Sequence, residues 1–188
     1  MGHSMGGQEI LQYAALGPED VRKQISGFLA MAPFIRLHPS SEPNRLTVIA
    51  GKLAGRLLPN RQMVSKLDSK WMCHDEEMCK SWEEDELCHD TGTLQGLAGM
   101  LERAEQLDRG SITIKDWPGC RIWLGHGTGD RVTHHKATTW FMDNLKVRDK
   151  TIQLYADSYH CSTCPPTSFS RLFLIAGKYI LSQSTRRK

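Results

Sequence analysis

Three residues have the types and surroundings for nucleophilic acyl-transfer chemistry: Ser4, Asp130 and His160. Ser4 lies in Gly2-His3-Ser4-Met5-Gly6-Gly7, a Gly-x-Ser-x-Gly pattern over residues 2–6. That spacing suits a nucleophile held at a sharp strand-to-helix turn, because small residues on either side let neighbouring chain pass close to a strained backbone. The turn would lift the hydroxyl clear of the sheet and aim the backbone N–H of Met5 at a bound carbonyl oxygen, as one oxyanion donor. A serine hydroxyl is a poor nucleophile until a neutral imidazole takes its proton. His160 is the expected base, and later the acid toward the leaving group. Asp130 is expected to hold the imidazole in one tautomer and stabilise the imidazolium. The pentapeptide alone also fits a Gly/Ser-rich tail. An N-myristoylation signal would need Ser or Thr at position 6, where Gly6 stands.

Other residues compete for these roles. His126, His134 and His135 flank Asp130 but lie too near it in sequence to come from the next strand. Asp116, Asp143 and Asp157 read as solvated loop carboxylates. Gly125 to Gly129 lacks the Gly-Lys-Ser/Thr ending of a phosphate loop. Cys161-Ser162-Thr163-Cys164 has Cys-x-x-Cys spacing but no properly spaced partner pair, and Cys73, His74, Cys79, Cys88 and His89 do not supply one, so no metal site is expected.

Such a constellation needs strands that end where its members begin. Ile10, Leu11 and Ala14 to Leu16 fall at helical spacing after the turn, and Gly17-Pro18 ends the run. The apolar stretch 25–36, closed by Pro33, reads as a buried strand. Two more strands are read at 121–125, before Asp130, and at 151–155, before His160. A helix over about 136–145 lies between them, and a last helix over about 169–181. Strand, polar loop, helix, repeated, is the pattern of a parallel sheet with crossover helices, an α/β arrangement whose functional groups gather at the carboxyl ends of the strands. Residues 38–110 break the pattern. They show no strand and two amphipathic helices, at 45–58 (Leu46, Ile49, Leu53, Leu57) and 93–107 (Leu94, Leu97, Met100, Leu101). The chain therefore divides into core (1–37), a helical cap or lid (38–110) and core again (111–188).

At 188 residues one domain with a sizeable core is expected. The net charge of +3 gives no case for nucleic acid, and the terminal Arg186-Arg187-Lys188 reads as a solvated end. No apolar run approaches the roughly 20 residues that span a bilayer. No secretory signal is visible, so the six cysteines are expected to be reduced thiols in a cytoplasmic setting.

These residues resemble a known family. The elbow 2–7, Ile25-Ser26-Gly27-Phe28-Leu29-Ala30, Leu87-Cys88-His89-Asp90-Thr91-Gly92-Thr93 with Leu94 to Leu101 after it, and Leu124-Gly125-His126-Gly127-Thr128-Gly129-Asp130 are similar to segments of fungal monoacylglycerol lipases of the α/β-hydrolase superfamily. The resemblance runs from about residue 1 to 160 and implies an incomplete α/β-hydrolase fold that starts at the elbow. It implies Ser4 as nucleophile, Asp130 as triad acid, His160 as base and Met5 N–H as oxyanion donor. It further implies a cap over an acyl-chain tunnel, hydrolysis of monoacylglycerol to glycerol and fatty acid, loose association with membranes or lipid droplets, and no metal or organic cofactor. The family carries strands and a His-Gly element upstream of the elbow, the latter giving a second oxyanion donor worth ~10²–10³ in rate. It also carries a His- and acid-bearing segment after the base, where this chain reads Cys161-Ser162-Thr163-Cys164-Pro165-Pro166. Both departures fit a partial reading of a longer gene. A lysophospholipase or general carboxylesterase is the alternative within enzymes. A catalytically incompetent fragment that binds acyl chains or a partner is the alternative outside them.

Overall fold

The structure is a computed structural model and describes residues 1–161. The helix read over 169–181 lies outside them. The elements in chain order are β1 (Gly2–His3), α1 (Met5–Leu16), α2 (Glu19–Arg22), β2 (Phe28–Met31), α3 (Arg45–Leu57), β3 (Gln62–Val64), a 3-10 turn (Ser69–Trp71), α4 (Glu76–Glu84), β4 (Thr91–Thr93), α5 (Leu94–Asp108), β5 (Arg121–Gly127), α6 (His135–Asn144) and β6 (Asp149–Tyr155).

Strands β1, β2, β5 and β6 form one parallel sheet in the order β1-β2-β5-β6. Its register places Gly2 beside Ala30, Ala30 beside Leu124, and Leu124 beside Ile152. Alternation along each strand divides the apolar side chains between two faces. Phe28, Ala30, Ile122 and Leu124 join Leu11 and Ala14 of α1, Leu107 of α5, and Ala137, Phe141 and Met142 of α6 in the main core. Leu29, Met31 and Trp123 form a smaller cluster with Tyr155. A strand buried on both faces reads as an unbroken apolar run, which is why the 25–36 stretch shows no alternation.

Because all four strands run the same way, the segments after them share one rim. These are Ser4 after β1, residues 32–38 after β2, 128–134 after β5 and 156–160 after β6. The loops are bound to each other there. His38 N–H donates to Val132 O (3.0 Å), His134 N–H to Arg36 O (2.9 Å), and Leu37 bridges Thr133.

The insertion departs from expectation in one respect. Residues 38–110 are not strandless, since β3 and β4 pair antiparallel, with Gln62 opposite Thr93 and Val64 opposite Thr91. Each has three residues and no buried position, so no apolar alternation marks it in the sequence. The helices start where their caps dictate. Asn44 Oδ1 accepts from Thr47 N–H at 2.8 Å, and Thr93 Oγ1 from Gly96 N–H at 3.0 Å. Helix α5 is joined to the core. Gln8 Nε2 donates to Met100 O (2.8 Å) and Gln12 Nε2 to Arg103 O (3.0 Å), tying it to α1, while Ala104 and Leu107 are buried.

Candidate active site

Ser4 sits between β1 and α1 at φ 53°, ψ −119°, a left-handed backbone that costs a non-glycine residue about 1–3 kcal/mol. The surroundings hold it there. Ser4 N–H donates to Met31 O (3.0 Å), and Ser4 O accepts from Gln8 N–H (3.1 Å) and Phe34 N–H (3.0 Å). Its side chain does not cap α1, which leaves the hydroxyl to other partners. Met5 is the first residue of α1, so its N–H lacks an intrahelical acceptor by geometry and lies at the positive end of the helix dipole. The two elbow glycines are unequal. A Cβ on Gly2 would lie 2.2 Å from Gly6 O, inside the first turn of α1, whereas one on Gly6 would meet no described atom within 4 Å. Of these two, close approach requires glycine at Gly2 and not at Gly6.

The Gly-rich loop after β5 has a comparable purpose. A Cβ on Gly127 would lie 2.1 Å from Ser158 O, so the chain leading to His160 passes directly over β5 only because Gly127 has no side chain. Gly129 N–H donates to Ser158 O (3.0 Å), and Thr128 Oγ1 accepts from Asp157 N–H (2.9 Å). The loop docks the His160 segment.

Asp130 and His160 meet in the interior, each 1% exposed. His160 Nδ1 donates to Asp130 Oδ2 at 2.8 Å, the contact that fixes an imidazole's tautomer and leaves Nε2 as the basic nitrogen. Oδ2 also takes Thr133 Oγ1–H at 2.8 Å and His126 Nε2–H at 3.1 Å. Oδ1 takes the backbone N–H of Val132 (2.7 Å) and Thr133 (2.9 Å). Burial alone would push the Asp130 carboxyl up, but the hydrogen bonds it accepts from His126 and His160 outweigh it and hold the group well below the ordinary carboxylate range. His3, beside Ser4, ties the elbow to His160. Its Nε2 donates to His160 O at 3.0 Å, and the two rings lie 4.7 Å apart.

The insertion closes over this segment from the other side. His160 N–H donates to Trp71 O (3.4 Å), Cys161 N–H to Met72 O (2.7 Å), and His74 stacks on Tyr159 at 3.6 Å. A separate groove of about 530 Å³ lies between residues 34–43, α3 and α5, lined by Phe34, Leu37, Val48, Ile49 and Leu101 and by none of Ser4, Asp130 or His160. Among the described residues no group of three or more His, Cys, Asp or Glu side chains could hold a metal ion. Cys73, Cys79, Cys88 and Cys120 are free thiols, and Cys164 lies outside the described residues.

The structure thus brings Asp130 and His160 together, with Ser4 one residue from a side chain that touches His160. The sequence reading set His126 aside, yet it bonds Asp130. Its signal was parity. His126 shares the face of Ile122 and Leu124, so a polar side chain there must be buried and must find a partner.

A parallel sheet, a serine at a left-handed turn into the following helix, and a helical insertion ahead of the Asp- and His-bearing strands define an α/β-hydrolase fold. Solved structures share it. Monoglyceride lipase from Saccharomyces cerevisiae superposes with a TM-score of 0.84 at 24% identity, over 96% of this chain and 63% of that one. Monoacylglycerol lipase from Paleococcus ferrophilus gives 0.81 at 26% identity, over 95% and 66%. Residues 1–164 match the serine aminopeptidase S33 family (Hydrolase_4), and the chain belongs to that family. Curated relatives include a putative monoglyceride lipase from Schizosaccharomyces pombe, 35% identical over 161 residues, and the Saccharomyces cerevisiae monoglyceride lipase, 27% identical over 166. Each match takes in 85% of this chain but only 40% and 51% of the relative, so the chain spans about half their length or less.

Proposed function

We propose that Ser4, His160 and Asp130 act as nucleophile, general base and orienting acid of a serine hydrolase that cleaves carboxylic esters of lipids, with monoacylglycerol as substrate. The observation that carries this reading is the buried His160–Asp130 contact at 2.8 Å, linked through His3 to a serine held at φ 53°. His160 Nε2 takes the Ser4 proton as Oγ attacks the ester carbonyl. The oxyanion is met by Met5 N–H, and the proton then passes from His160 to the glycerol oxygen as the acyl-enzyme forms. Water repeats the sequence and releases the fatty acid. The names of the relatives favour monoacylglycerol over lysophospholipid or simple esters.

Helix α3 supports a surface-bound enzyme. Leu46, Ile49, Leu53 and Leu57 are 79, 63, 57 and 72% exposed, an apolar stripe of the kind that lies in a membrane or droplet interface. No described helix is long and apolar enough to cross a membrane.

The test is turnover of a monoacylglycerol against a lysophospholipid and a short-chain ester, with Ser4→Ala as control. The reading expects a preference for monoacylglycerol and a loss on the order of 10⁶ in Ser4→Ala. Activity that survives Ser4→Ala would refute the role of Ser4. A preference for lysophospholipid would move the substrate assignment and leave the triad in place. A folded, soluble chain without turnover on any ester would favour a non-catalytic, acyl-binding fragment.

A further inference from the structure

One fully buried titratable side chain beside the site has no part in the chemistry just described. His126 has no exposed surface. Its Nε2 faces Asp130 Oδ2 at 3.1 Å and its Nδ1 faces Thr138 Oγ1 of α6 at 2.8 Å. Thr133 Oγ1 lies 3.3 Å from Nε2, and the ring of His135, also on α6, is centred 6.3 Å away. Thr138 is itself fully buried.

The donors and acceptors fix the Nε2 end of the ring. An ionised carboxylate only accepts, so His126 must present Nε2–H to Asp130. A neutral ring then has a bare Nδ1, and the Thr138 hydroxyl supplies the proton that this nitrogen accepts. Charge counting reaches the same result. Asp130 carries one negative charge, which balances His160 when that ring becomes imidazolium. A second imidazolium at His126 would leave a net positive charge in the interior, which is costly without a partner. The carboxylate is thereby fixed without help from the base. Oδ1 is held by two backbone N–H groups, and Oδ2 by Thr133 and His126, so its remaining direction points at His160 Nδ1.

We propose that His126 is a positioning residue, locked by Thr138 in the neutral Nε2–H tautomer, that holds Asp130 aimed at His160. What Asp130 then does rests on the triad reading above. The tautomer does not, and it can be measured with or without turnover.

The test is long-range nitrogen–proton correlation of the imidazoles in the whole chain. For His126 the expected spectrum has a protonated Nε2 and a bare Nδ1. Thr138→Val should lose that single tautomer and move the downfield Nδ1–H proton of His160 upfield. Thr138→Ser should restore both. An imidazolium or an Nδ1–H tautomer at His126 in the unaltered chain would overturn the proposal. So would Thr138→Val spectra identical to it, or failure of Thr138→Ser to restore either signal. A locked His126 in a chain without turnover would leave this inference standing and remove the proposed activity. Turnover with an unlocked His126 would do the reverse.

Discussion

The sheet and the insertion use the same residue types to opposite ends. Leu11 of α1 and Leu124 of β5 are fully buried, whereas Leu46, Leu53 and Leu57 of α3 are more than half exposed. Helices α3 and α5 are similar as patterns, each with leucines along one face. The C-terminal half of α5 nevertheless packs on α1 and buries Leu107, while the stripe of α3 faces outward. An apolar periodicity shows that a helix has a face to cover. It does not show what covers it, because that depends on contacts from distant parts of the chain. In the sheet those contacts come from strands a few ångströms away. On α3 the described residues leave the face open, and a lipid surface is the occupant proposed here.

The contrast can be broken or sharpened by substitution. The largest effect is expected inside the sheet rim. Asp130→Asn keeps the shape but lets the His160 ring take the wrong tautomer, and kcat should fall by about 10⁴. A fall below tenfold would mean that Asp130 does not orient the base. Next is the core beneath it. Leu124→Ala should cost about 2–5 kcal/mol in denaturant unfolding, since the cavity would lie between two neighbouring strands. A cost under 1 kcal/mol would show that the core is not packed as described. Acid stability comes third. The Asp130 carboxyl titrates below its ordinary value, so its stabilising contribution is complete above the unfolded value of about 3.9 and is lost as pH falls below it. The Asp130→Asn variant should therefore lose less stability than the unaltered chain between about pH 4 and pH 2, and equal slopes would contradict the shift. The smallest effect on folding is expected on α3. Leu53→Asp should change stability by no more than about 0.5 kcal/mol yet weaken co-sedimentation with phosphatidylcholine vesicles. A loss of stability as large as that of Leu124→Ala would place the stripe in the core.

Much of the sheet was legible because its signals are local. The Gly-x-Ser-x-Gly turn, the helix over 136–145 and the strand ends before Asp130 and His160 fall where the sequence puts them, while the 25–36 run forms a buried strand only over Phe28–Met31. Three features were not legible, each for a physical reason. Strands β3 and β4 are short and exposed, so they carry no alternation. The unequal need for Gly2 and Gly6 depends on which atoms approach each one, and a motif does not record that. His126 was set aside by its distance from Asp130 in sequence, although four residues along a strand and its turn bring two side chains together when the loop folds back. The rule that loop residues carry function drew attention past a buried polar residue within the strand.

The central claim is that a competent serine nucleophile is assembled at Ser4. The most direct measurement is fluorophosphonate labelling of the purified chain, with the adduct mapped by mass spectrometry. A single adduct on Ser4, lost in His160→Ala, is the predicted result. A folded, soluble chain that carries no adduct, or one at another serine, would contradict it.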